Sequence, residues 1–205
     1  LGGGDTTFSN KLSFSILSVG FSKKIVPRNN AQLQDDIYVT GNLGDSYVGL
    51  LVLKKKIKIN KYLNDYFKKK YYLPDIKYSL VKNLKKIANT SIDLSDGLIT
   101  DLNKLLSKQK LAYDLFLKDI PISKNLKNLI DLKKYKKISC ISNGDDYQIL
   151  FTASANKSRI IKSISKKLRI KISRIGKITL NNKKSSFISQ KGKHLLVKNS
   201  GYKHQ

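Results

Sequence analysis

Ser91-Ile92-Asp93-Leu94-Ser95-Asp96-Gly97-Leu98 is the stretch on which the fold turns. Residues 91–94 read as a strand, and Leu98 opens a run that places Leu102, Leu105 and Leu106 on one helical face. Between them the chain changes from a period of two to a period of 3.6 through an acidic turn that contains glycine. Asp93 and Asp96 therefore stand at a strand-to-helix junction, where both carboxylates can face one cavity. Ser95 or Asp96 can equally cap the helix, and capping and metal binding are compatible for different residues.

Outward from this turn, strands and helices mix without regular alternation of strand, helix and parallel strand, which favours an α+β fold with a mixed sheet over a doubly wound one. Downstream, residues 112–117 read as a strand, Pro121 begins a looser helical region, and Asn143-Gly144-Asp145-Asp146 forms a turn that opens onto a strand over 147–151. A helix over 158–168 and strands near 172–178, 186–188 and 195–197 follow. Upstream, residues 37–40 read as a short buried strand, and Gly44-Asp45-Ser46 introduces an apolar helix through Val48 and residues 50–53, with Asp45 or Ser46 suited to its N-terminus. Pro74-Asp75 offers a start for a helix carrying Leu80, Val81, Leu84 and Ile87. Residues 12–19 read as a strand that closes a preceding domain, and residues 27–34 as a connector. With Leu1 at its start and no Met, the chain is expected to be part of a longer polypeptide.

The 205 residues carry a formal charge of +27, a composition that invites a nucleic-acid reading. Only four of the 41 basic residues are arginine, however, and the lysines are scattered through nearly every predicted helix. Arginine's planar fork and interleaved aromatics mark nucleic-acid sites more often, so specific nucleic-acid binding is not expected. Abundant Lys, Ile, Asn and Tyr without Trp or Met fits a coding bias better. The single Cys140 excludes an internal disulfide framework and suggests a core filler in a reducing cytoplasm. No apolar run approaches the roughly 20 residues that cross a bilayer.

Against this basic background the 14 acidic residues are informative where they cluster. Gly4-Asp5-Thr6-Thr7, Gly44-Asp45-Ser46, Asp93-Leu94-Ser95-Asp96-Gly97 and Gly144-Asp145-Asp146 each set a carboxylate near a glycine. Carboxylate oxygens suit Mg²⁺, which takes one or two of them together with phosphates and water. Glycines let backbone N–H groups approach phosphate oxygens closely. Each turn alone also reads as an ordinary cap. No Walker loop and no His-Arg-Asp signature is present, which removes the commonest ATP-binding architectures.

The ordered set Gly3-Gly4-Asp5-Thr6-Thr7, Ile37-Tyr38-Val39-Thr40-Gly41-Asn42-Leu43-Gly44-Asp45-Ser46, Ile92-Asp93-Leu94-Ser95-Asp96-Gly97-Leu98 with Asp101-Leu102, Gly144-Asp145-Asp146-Tyr147 and Gly201-Tyr202-Lys203-His204 resembles the thiamine-monophosphate kinase family, over its C-terminal two-thirds. The resemblance implies a C-terminal domain like that of aminoimidazole ribonucleotide synthetase over residues 27–205, with residues 1–26 ending an N-terminal α/β domain that binds ATP and Mg²⁺. It implies phosphorylation of thiamine monophosphate by ATP, no catalytic side chain beyond metal-assisted transfer, and a homodimer formed through that N-terminal domain. Gly4, Asp5, Arg28 and Ser95 would contact ATP; Asp5, Asp93 and Asp96 would hold Mg²⁺; Asp145 and Tyr202 would contact the thiamine substrate. The chain departs from the family pattern at Asp145, where Glu is usual, near residues 71–75, where Pro74 stays without arginines, and at Gln205, where an aromatic is usual. A sister synthetase of the same superfamily and a basic RNA-binding module are the alternatives.

Overall fold

The structure, a computed structural model, describes residues 8, 10–132, 135–180, 185–189 and 192–196. All five residues of strand β1 (Asp36–Thr40) are buried: Ile37 and Val39 join one hydrophobic cluster and Tyr38 another, as alternation along a strand in mid-sheet requires. Its neighbours β4 (Ile149–Ala153) and β5 (Ile172–Leu180) are both antiparallel to it. Beyond β4 lies β2 (Thr90–Asp93); beyond β5 lie β3 (Leu111–Phe116), β6 (Ser186–Ile188) and β7 (His194–Leu196). The pair β3–β6 is parallel and the other ladders are antiparallel, so the expected mixed α+β sheet is formed.

Seven helices accompany it among the described residues: α1 (Asp45–Leu53), α2 (Lys61–Tyr72), α3 (Val81–Ile87), α4 (Leu98–Leu105), α5 (Lys124–Asp131), α6 (Lys137–Ile141) and α7 (Ser158–Leu168). Leu98, Leu102 and Leu105 of α4 pack in the cluster of Ile37, Val39, Leu150 and Ile175. On the opposite face Ile87 and Ile161, from α3 and α7, meet Tyr38 and Phe151, whose rings stack with centroids 5.3 Å apart. A third cluster joins α1, α2, α5 and α6 through Val48, Phe67, Leu126 and Cys140. Cys140 is fully buried and its thiol is pushed up to about 11, the inert core position expected of it.

Several elements differ from their expected form. Helix α2 was not expected from its Lys- and Tyr-rich sequence; Asn60 caps it by accepting from the Leu63 N–H, and Phe67 anchors it. Helix α3 begins at Val81 rather than near Pro74, after a 3₁₀ turn over Tyr78–Leu80. Strand β4 starts two residues later than expected, because Tyr147 has φ 47°, which a strand does not accommodate. The strand expected over 12–19 does not form: a strand takes its hydrogen bonds from a neighbour, and among the described residues this segment has no ladder partner, with Leu12, Phe14, Ile16 and Val19 between 75 and 89 % exposed. Among the described residues no helix is long and apolar enough to cross a membrane.

Candidate functional site

Two acidic turns extend the ladder between β2 and β4 beyond the strands. Leu94 N–H donates to Gln148 O (2.9 Å), Tyr147 N–H to Leu94 O (2.9 Å) and Asp145 N–H to Ser95 O (2.9 Å). Residues 93–97 and 143–147 are thereby zipped together. Gly97, at φ 109°, and Gly144 make this approach possible: a Cβ would meet Ser142 O at 2.2 Å in the first case and Ser95 O at 1.8 Å in the second. The sequence suggested glycines that admit phosphate; these two admit the backbone of the facing turn.

Asp101, fully buried in the first turn of α4, accepts the N–H groups of Asp96 (2.8 Å) and Gly97 (3.1 Å) on Oδ2. The N-cap residue of α4 is Gly97, not Ser95 or Asp96, and Asp101 holds the turn that leads into it. Lys104 pairs with both Asp96 and Asp101. The start of α1 is held from far away in sequence instead: Gly44, its N-cap residue, donates its N–H to Oδ2 of Asp146 (2.8 Å), and neither Asp45 nor Ser46 is the cap. Burial pushes the Asp146 carboxyl up to about 8. Asp45 is a structural tie, accepting from Ser123 Oγ (2.7 Å) and Tyr66 OH (2.9 Å). Burial raises its carboxyl as well.

Between the zipped turns and α1–α2 opens a cavity of about 530 Å³, within the usual range for small-molecule sites. Tyr47, Tyr71 and Tyr147 give it aromatic walls, Asp96 and Asp145 an acidic side with the Ser95 hydroxyl beside them, and Lys54 a cation. Burial, then the charge of Asp96, raises the Asp145 carboxyl, while Lys54 opposes the shift. Burial and then the carboxylates of Asp145 and Asp93 raise the Tyr147 hydroxyl, with Tyr71 and Asp96 adding to the shift, so these groups share one electrostatic environment. A cavity of equal volume, about 530 Å³, lies between α5 and the start of β5 beside Lys127, Lys137 and Lys171, but it holds none of the acidic turns.

Of the residues expected in the site, Asp96, Ser95 and Asp145 line the cavity, and Asp93 is exposed at the end of β2 next to it. Arg28 is exposed and held elsewhere. Its neighbours are tied to the opposite ends of β2 and α4: Thr90 Oγ1 donates to Pro27 O (2.7 Å) and Asn29 N–H to Leu105 O (3.1 Å), roughly 10 Å along each element from the acidic turn. Gly4, Asp5 and Tyr202 lie outside the described residues. Tyr47, Lys54, Tyr71, Asp101 and Lys104 were not among the expected site residues. A tyrosine or lysine in so basic and Tyr-rich a chain carries no local signal; Asp101, four residues after Gly97 at the head of a helix, carries one.

No family model matches the chain. It is 38 % identical to the thiamine-monophosphate kinase of Buchnera aphidicola subsp. Schizaphis graminum, over 98 % of this chain and 62 % of that protein. The chain is a relative of the thiamine-monophosphate kinases. The enzyme of that name from Escherichia coli K12 is 29 % identical over 98 % of this chain and 62 % of its own length. The chain thus spans about three-fifths of the length of these kinases. A solved structure of AaThiL complexed with AMPPCP and TMP superposes with a TM-score of 0.73 at 26 % identity, covering 90 % of this chain and 55 % of that one. The hydrogenase maturation protein HypE of Escherichia coli, 12 % identical with a TM-score of 0.65 over 84 % of this chain and 51 % of its own, shares the fold.

Proposed function

We propose that the polypeptide carrying this chain transfers the γ-phosphoryl group of ATP directly to the phosphate of thiamine monophosphate, giving ADP and thiamine diphosphate. The observation that carries the reading is the zipping of the 93–97 and 143–147 turns around one aromatic and acidic cavity, in a chain whose relatives bear this activity in their name. Asp145 and the three tyrosines suit the cationic ring of a thiamine phosphate, by charge and by cation–π attraction. Lys54, at the same cavity, offers an ammonium to the acceptor phosphate. Ser95 lines the cavity and would contact ATP there; Arg28, exposed at the far ends of β2 and α4, would reach the nucleotide phosphates from outside it. Gly4, Asp5 and Tyr202 keep the roles their motifs imply, as ATP, metal and substrate contacts.

Asp93 and Asp96 fit Mg²⁺ by donor chemistry. Together they offer one or two carboxylates, the number Mg²⁺ takes when phosphates and water complete its shell. Bound there, Mg²⁺ would offset the repulsion between two anionic reactants. The protein's own part is alignment, and an acceptor phosphate already ionised near neutral pH needs no general base.

An ADP-release assay across a panel of acceptors tests the reading. Thiamine monophosphate is expected to be the preferred acceptor. Release driven equally by unrelated acceptors would favour a sister synthetase instead. Asp93→Asn is expected to abolish turnover while leaving the melting curve intact; retained turnover would remove Asp93 from the metal site.

A further inference from the structure

Asp101 and Lys104 are three residues apart on one face of α4, and together they hold Asp96 from two directions. Asp101 fixes the turn's backbone through the Asp96 and Gly97 N–H groups, and Lys104 fixes the Asp96 carboxylate by pairing with its Oδ2. The two anchors differ in permanence. Asp101 is fully buried, whereas the Lys104 side chain is 45 % exposed and free to swing into water. Lys104 also has a second hold, its 3.4 Å contact with Asp101 Oδ1, so leaving Asp96 does not strand its charge.

We propose that Lys104 is a displaceable stand-in for the divalent cation at Asp96: its ammonium holds the carboxylate in place before the metal arrives, and yields the oxygen to the metal. This rests on the reading of Asp96 as a metal-binding residue. An ammonium and a divalent cation cannot occupy the same carboxylate oxygen, and a positive charge retained a few ångströms away on Asp101 continues to oppose the metal. Lys104 is thus a positioning residue that keeps the site assembled at the cost of metal affinity. It permits binding chiefly when nucleotide phosphates contribute, since they bring negative charge of their own.

The test titrates the full chain with Mn²⁺ alone, following free Mn²⁺ by electron paramagnetic resonance, for the parent, Lys104→Gln, Lys104→Arg and Asp96→Asn, each checked by melting curve. Lys104→Gln is expected to bind Mn²⁺ about 3- to 10-fold more tightly, from removal of one nearby positive charge. Lys104→Arg is expected to match the parent. Equal or weaker binding by Lys104→Gln, with binding lost in Asp96→Asn, overturns the stand-in role and leaves the metal assignment standing. Binding undiminished in Asp96→Asn, or no binding by either the parent or Lys104→Gln, overturns both.

Discussion

Asp146 sits 102 residues from the glycine whose N–H it accepts, and its carboxyl ties the second acidic turn to the start of α1. A carboxyl that ordinarily titrates near 3.8 and is held up to about 8 in the folded chain keeps a proton that the unfolded chain releases. Its stabilising contribution is therefore complete below about pH 4 and is lost as pH rises through about 8. Asp146→Asn keeps an acceptor for Gly44 and removes the titration. The variant's melting temperature should gain on the parent's between about pH 5 and about pH 8 by several degrees; a constant difference would mean that Asp146 is ionised in the fold. At this scale the sequence was partly legible. Gly-Asp pairs identified the acidic turns, but the same signature marked Asp45, which ties α1 to Ser123 and Tyr66. The difference lies in burial, set by residues far away in sequence.

The zipped turns carry the site as a unit, and their glycines leave no space. Gly144→Ala must push a Cβ into Ser95 O, so a destabilisation of about 1–3 kcal/mol is expected, with loss of turnover beyond what the stability change explains. Denaturant unfolding within about 0.5 kcal/mol of the parent would show that the turns are not so closely packed. Helix α2 supplies the Tyr71 wall and is anchored by the fully buried Phe67. Phe67→Ala is expected to cost about 3–5 kcal/mol. Strands β1 and β2 and helices α4 and α7 were legible because their apolar period matched their burial. Helix α2 was not, since its lysines and tyrosines masked a stripe through Leu63, Tyr66 and Phe67, with Asn60 as the neglected cap. The displaced start of β4 has another cause, the left-handed Tyr147.

Across the whole molecule, a charge of +27 imposes mutual repulsion that salt screens over about 10 Å at 0.1 M. The melting temperature is expected to rise between about 20 and about 300 mM NaCl; a fall would indicate that specific surface ion pairs outweigh the net repulsion. The mixed sheet was foreseen from irregular element order, whereas its strand order was not, because long-range pairing leaves no mark at any one position. The shape and tyrosine lining of the cavity were likewise invisible, being made where α1 and α2 meet the zipped turns. The most direct test of the proposed chemistry follows the label from γ-labelled ATP in the presence of Mg²⁺ and thiamine monophosphate, using the polypeptide that carries this chain. Label is expected in thiamine diphosphate, at a rate that falls at least about 100-fold in a folded Asp96→Asn variant. Label released only as inorganic phosphate, or transfer undiminished in Asp96→Asn, would contradict a metal-assisted kinase site at these turns.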